Sequence, residues 1–136
     1  MWGIGHDGRG TRGEFAIRCS WCLAPPPALL APMILEVACL NVVPGREAEF
    51  EDAFRQAQRL IASMSGYRSH QLHRSIEATH RYLLLVNWDR LEDHTQGFRG
   101  SREYQEWKRL LHHFYDPFPV VEHYGAVAGV PDKPIT

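Results

Sequence analysis

Apolar and polar positions fall into a regular order between residues 34 and 127. Residues 34–43 are rich in β-branched and aliphatic side chains and stop at Pro44-Gly45, the pattern of a strand running into a turn. Its alternating sets, Ile34/Ala38/Leu40/Val42 and Leu35/Val37/Cys39, are both apolar, so cover on both faces is expected. The period then changes. Phe50, Ala53, Phe54, Ala57, Leu60, Ile61 and Met64 recur at helical spacing over residues 46–64, with Glu47 and Glu49 in the first turn and Gly66 suited to a left-handed cap. Residues 67–76 and 81–88 read as two strands joined by Glu77-Ala78-Thr79-His80, which predicts an antiparallel hairpin. Leu83-Leu84-Leu85-Val86 is apolar at consecutive positions, again implying cover on both sides.

Two helical pieces follow, over 91–98 and 102–114, separated by Gly100-Ser101 and closed by Asp116-Pro117-Phe118-Pro119. Leu91, His94, Thr95 and Phe98 recur at i, i+3, i+4 and i+7, which places an ionisable ring on the apolar face. Residues 118–127 supply a last strand. The order β-α-β-β-α-β predicts an α+β, ferredoxin-like fold: a four-stranded antiparallel sheet with both helices on one face. Such a sheet leaves its other face bare, yet the first and third strands are apolar on both. A second copy packed sheet to sheet, burying Leu35, Val37 and Cys39, is the expected cover, which predicts a homodimer.

Composition narrows the partners. Fifteen basic against sixteen acidic residues give a formal net charge of −1 without a run of like charge, so neither a nucleic-acid nor a membrane-surface footprint is expected. No apolar run approaches the ~18 residues of a membrane span. Three cysteines in a chain of 136 residues do not make a disulfide framework, and a reducing cytoplasm is the expected setting. Residues 1–32 are Gly-rich, then Pro-rich, and lack periodicity, so they read as an extension with little stable structure, and a chain starting at Met33 is expected to fold without them. Residues 128–136 read as a tail. Cys19-Ser20-Trp21-Cys22 has C-x-x-C spacing, but no second pair matches it and Pro25 to Pro27 prevent the helix a redox motif needs. No metal is assigned: His112 and His113 are adjacent and so diverge on a helix, and His70, His73, His80 and His123 have no carboxylate at metal-site spacing.

The strand, Pro44-Gly45 and amphipathic helix, the Gly66-Tyr67 entry to the second strand, Trp88 closing the third, and then LEDHTQGFRGSREYQEWKRLL and HFYDPFPVVEHY together resemble the antibiotic biosynthesis monooxygenase domain family over residues 33–127. The resemblance implies a dimeric α/β barrel and a small oxidoreductase that oxygenates an aromatic or quinol substrate with dioxygen and no cofactor. A non-catalytic ligand-binding or stress-associated dimer is the alternative. Some relatives degrade haem with an Asn on the first strand and a Trp and a His on the second helical region. Registering on Pro44-Gly45 puts Ala38 at the Asn position and Lys108 near the His, which disfavours that chemistry.

Cofactor-free oxygenation asks for a base, a dry pocket and flat walls that grip a ring. His94 is the expected base, since histidine alone titrates near ~6.5 unperturbed. Trp88, Phe98, Tyr104, Trp107 and Leu111 are the expected substrate-binding wall. The competing reading makes His94 a hydrogen-bonded core histidine and the aromatics plain core. Arg99 and Arg102 flank the helical break, and a solvated surface pair is favoured there over an anion site.

Overall fold

The computed structural model describes residues 33–130; the expectations for 1–32, Cys19 and Cys22 included, and for 131–136 lie outside the described residues. Strand β1 (Ile34–Asn41) leads into helix α1 (Glu47–Ala62), followed by β2 (Tyr67–Arg74) and β3 (Arg81–Trp88). A π-helical turn (Asp93–Phe98), helix α2 (Arg102–Leu111), a 3₁₀ turn (His112–Phe114) and β4 (Val121–Gly125) complete the order. The strands form one antiparallel sheet in the order β2-β3-β1-β4. This is the ferredoxin-like α+β arrangement.

Alternation along the strands sets the core. Ala38, Leu40, Tyr82, Leu84, Val86 and Trp88 point to the helical side and are buried against Phe50, Phe54, Ala57 and Ile61 of α1 and Trp107 and Leu111 of α2. Phe50, fully buried, packs its ring against Tyr82, Phe114 and Tyr115. The opposite face carries Leu35, Val37 and Leu85, half-buried, and Cys39 and Leu83, exposed; the register sets Val37 against Leu85 and Cys39 against Leu83.

Several element ends differ from the sequence reading, each for a hydrogen-bonding reason. β1 stops two residues early because Val42 passes into an isolated bridge with Tyr115, and Val43 N–H donates to the Phe114 carbonyl. β2 ends at Arg74 because Ser75 starts the turn: its hydroxyl accepts from Ala78 N–H, and Ile76 is left 88% exposed. β4 is shorter than 118–127, since it pairs only with residues 34–38 of β1. The first helical piece also departs from its expected face. Arg99 N–H reaches the His94 carbonyl five residues back, and this wider turn directs His94 and Phe98 inward while Leu91 lies exposed.

Gly66 ties this turn to the sheet. It adopts φ 85°, and a Cβ there would lie 2.0 Å from an Asp93 carboxylate oxygen, so only glycine lets the π-helical turn approach this closely. The Gly66 carbonyl accepts from Asp89 N–H, and Asp93 in turn accepts from Arg90 N–H at 3.1 Å. The residue after Asp93 is His94.

Candidate functional site

Buried Glu36, Trp88 and His94 and half-buried His123 meet where β1, β3, β4 and the π-helical turn come together. Glu36 lies on the helical side of β1, in the same alternating set as Ala38 and Leu40, and is 4% exposed. The register places His123 of β4 directly across from Glu36, and Trp88 of β3 two residues along from the partner of Glu36 on the other side. Trp88 uses that diagonal position: its indole N–H donates to Glu36 Oε1 at 2.9 Å. His94 descends from the π-helical turn over the pair. Its Nε2 lies 3.4 Å from Glu36 Oε2, and its Nδ1 hydrogen-bonds His123 Nε2 at 2.8 Å. Trp88 stacks on the His94 ring at 5.6 Å, and Phe98 flanks it at 6.3 Å.

These surroundings decide the protonation of the pair. Burial pushes the Glu36 carboxyl up from an ordinary 4.5 to about 7, against the indole hydrogen bond and the Arg99 charge, which both favour the carboxylate. Burial lowers His94 from 6.5 to about 3, helped by Arg99 and His123. His94 is therefore neutral at physiological pH, and Glu36 is the group that titrates nearest to it. His123, half-buried at the sheet edge, is also lowered, by burial and by Arg99.

Glu36 and His94 open onto a cavity of about 310 Å³ between the sheet and α2, a size that suits a small ring compound. Phe98, Tyr104 and Trp107 form its flat wall, and Ala38, Leu40 and Leu84 its floor. Phe98 meets Tyr104 and Trp107 edge to face at 5.1 and 5.5 Å. Ser101 holds α2 in place by accepting from Tyr104 N–H at 3.1 Å, which fixes the backbone under that tyrosine. Arg99 and His112 complete the polar rim; burial and Lys108 lower the His112 ring.

Of the residues expected from the sequence, His94, Phe98, Tyr104 and Trp107 are brought together on the cavity. Trp88 stands behind them, holding Glu36 and His94, and Leu111 is fully buried in the adjoining core. His113 is exposed, and His112 turns to the cavity and packs on Tyr104 and Phe118. Arg99 and Arg102 are both exposed, and Arg99 also lines the cavity mouth. Glu36 and His123 escaped the sequence reading. The signal for Glu36 was present, a lone carboxylate in an apolar alternating set; His123 becomes meaningful only once β4 is registered beside β1.

A second hollow of about 540 Å³, wider but shallower, lies between α1 and β2, lined by Glu51, Phe54, Gln58, His70, Arg74 and Tyr82. Its polar groups are already matched: Tyr82 Oη donates to Glu51 at 2.6 Å, Arg74 pairs with Glu51 at 3.3 Å, and His70 bonds Gln58 at 2.9 Å. The chemistry concentrates at the smaller cavity. Among the described residues no His, Cys, Asp or Glu cluster is set to hold a metal, and Glu36 and His123 engage opposite nitrogens of His94 rather than a common point.

Comparison with known proteins places the chain. Residues 33–110 match the model of the antibiotic biosynthesis monooxygenase family, and the chain belongs to that family. YczJ of Bacillus subtilis strain 168, an uncharacterized protein, is 62% identical over 92 residues, covering 68% of this chain and 97% of its own. A solved structure from Bordetella bronchiseptica, assigned to the antibiotic biosynthesis monooxygenases, is 42% identical with a TM-score of 0.68, over 71% of this chain and 98% of that one. SnoaB, a cofactor-independent oxygenase from Streptomyces nogalater, shares the fold at 20% identity and TM-score 0.58, over 75% of this chain and 98% of its own.

Proposed function

We propose that the protein is a cofactor-independent monooxygenase of a small aromatic or quinol compound, bound in the cavity beneath His94. One observation carries the reading: a buried acid–base pair, Glu36 and His94, opens onto a cavity walled by Phe98, Tyr104 and Trp107. A carboxyl that titrates near neutrality beside a neutral imidazole is suited to take a phenolic proton at physiological pH. The resulting phenolate is its own reductant. It passes an electron to dioxygen, the two radicals join at a ring carbon that bears hydrogen, and the returned proton completes a hydroperoxide. Loss of water, with the O–O and C–H bonds breaking, leaves a new C=O. A quinol and O₂ thus give a hydroxyquinone, after enol formation, and H₂O, with no outside electron donor. The apolar side of the cavity, Ala38, Leu40, Leu84, Phe98 and Trp107, would grip the ring, and Arg99 at the rim can balance the phenolate charge.

The working unit in this reading is a homodimer joined through the outer sheet face, where Leu35, Val37, Cys39, Leu83 and Leu85 form an apolar patch. Exposed, free Cys39 fits a reducing cytoplasmic setting. Among the described residues no helix is long and apolar enough to cross a membrane. The test is oxygen uptake by metal-free protein across a panel of quinols and polyphenols, with product mass rising by the net gain of one oxygen and loss of two hydrogens. Ligand binding to the cavity with no oxygen uptake for any compound would favour a non-catalytic binding dimer. Light scattering of Leu83→Asp should show monomer where the parent chain shows dimer; a monomeric parent chain would remove the sheet-face interface.

A further inference from the structure

The two imidazoles have more order than a single acid–base residue requires. Each touches a polar partner through a defined nitrogen: His94 Nε2 faces Glu36 and Nδ1 faces His123, which reaches it through Nε2 and keeps its own Nδ1, on a half-buried ring of the edge strand, without a hydrogen-bond partner among the described residues and not sealed from solvent. A neutral imidazole donates from one nitrogen and accepts at the other, so the state of Glu36 dictates both tautomers. With Glu36 as carboxylate, it accepts from Trp88 and faces His94 Nε2–H across 3.4 Å, a gap that proton transfer has to close, and His94 Nδ1 accepts from His123 Nε2–H. With Glu36 as carboxylic acid, its O–H donates to His94 Nε2, His94 Nδ1–H donates to His123, and His123 carries its proton on Nδ1.

We propose that Glu36, His94 and His123 form a proton relay through which Glu36 exchanges its proton with solvent at the β4 edge, without either ring becoming an imidazolium. The balance is one proton. Loading takes one from water at His123 Nδ1, passes the His123 Nε2 proton to His94 Nδ1, and passes the His94 Nε2 proton to Glu36 Oε2; discharge reverses each transfer. Three bonds to hydrogen form, two within the chain break, and no electrons move. The purpose rests on the oxygenase reading: a ring compound filling the cavity closes the direct path to Glu36, and only the carboxylate form can accept a phenolic proton. Turnover returns the proton it takes, so the relay acts where the compound binds with Glu36 protonated, discharging the carboxyl from behind. His94, depressed by burial, and His123, lowered by burial and Arg99, resist becoming cations, as tautomer exchange requires.

The charged and titratable groups around Glu36 come from every packed element: His94 and Arg99 from the π-helical turn and its end, His123 from β4, and Tyr104, His112 and Tyr115 across the cavity. Burial raises Tyr115 further from neutrality, so it does not compete for this proton. Trp88 is a donor only and fixes Glu36 Oε1 as the acceptor end, leaving Oε2 for the relay.

The test reads the rings directly, on full-length ¹⁵N- and ¹³C-labelled protein without substrate. Long-range ¹H–¹⁵N spectra between pH 5 and 9 should show His94 and His123 neutral throughout, switching together from Nδ1–H to Nε2–H with a midpoint near the Glu36 carboxyl value of about 7. In Glu36→Gln the amide donates permanently to His94 Nε2, so both rings should stay in the Nδ1–H tautomer at every pH. Independent midpoints, an imidazolium at either ring, or a His123 tautomer indifferent to Glu36→Gln would each overturn the relay. Oxygen uptake by His123→Ala separates the relay from the oxygenase reading. Turnover should fall by up to ~10²-fold at unchanged KM and recover with added imidazole, as for a lost proton carrier. Undiminished turnover in this folded variant overturns the relay while leaving the oxygenase standing. A coupled tautomer switch in a parent protein that oxidises nothing leaves the relay standing and removes the oxygenase.

Discussion

The two hollows that flank the helices each hold a glutamate, a histidine and a tyrosine, yet they are built to opposite ends. Glu51 is partly open to water, with its side chain 28% exposed, and is met by Arg55, Arg74 and the Tyr82 hydroxyl. Glu36 is buried and is met by an indole N–H and a neutral imidazole, with no cation in direct contact among the described residues. The same side chain thus sits among guanidinium groups and solvent in one place and is a carboxyl poised near neutrality in the other. Direct cationic partners and solvent stabilise a charge; burial among neutral donors leaves it able to change.

The widest separation between the two should appear in turnover. Once a substrate is found, Glu36→Gln or His94→Ala should lower oxygen uptake per folded protein by the ~10²- to 10⁴-fold typical of lost acid–base help, while Glu51→Gln leaves it within a few-fold. Full specific activity of folded His94→Ala would make His94 a structural histidine, and its loss should then appear as ~1–3 kcal/mol of stability.

Next in size is the support beneath the site. Gly66→Ala forces a side chain onto positive φ and onto Asp93, and should cost on the order of 1–3 kcal/mol from backbone strain alone. The denaturation midpoint should fall, and activity per folded molecule with it, because the turn carrying His94 must retreat. Tyr82→Phe, in the other hollow, removes a hydrogen bond to Glu51 and should cost about 1–2 kcal/mol without touching turnover. A loss of activity there would mean that the two hollows are coupled.

The smallest effect, and the one that most sharpens the comparison, is in the pH dependence of stability. Glu36, raised in the folded state, contributes stability that is present below pH 4.5 and lost as pH rises to about 7. His94, lowered in the folded state, contributes stability that is present above pH 6.5 and lost as pH falls toward about 3. Between 4.5 and 6.5 the two slopes oppose. His112 and His123, also lowered, add to the histidine slope, so thermal melts of the parent protein should lose some stability as pH falls across that window and Glu36→Gln, without the opposing carboxyl, should lose more. Parallel profiles in parent and variant would mean that Glu36 is not held protonated by burial.

Much of the architecture could be read from residue order alone. The change from a period of two to a period of 3.6 at Pro44-Gly45, the hairpin between residues 67 and 88, and the break at Gly100-Ser101 all follow from backbone constraints that act within a few residues. His94 and the aromatics Phe98, Tyr104 and Trp107 were legible for the same reason, since a periodic face shows which side chains turn inward. Leu91 was misplaced because its periodicity assumed an α-helical turn, and the wider π-helical turn depends on the close approach of Asp93 to Gly66. The pairing of Glu36 with His94 and His123 lay beyond local reasoning. Residues 36, 94 and 123 meet only because β4 pairs beside β1 and the π-helical turn packs over both. Their charge states follow from that meeting. Desolvation is a property of the assembled interior, so the sequence determined which groups can ionise, and only the tertiary structure decided which of them hold a proton at neutral pH.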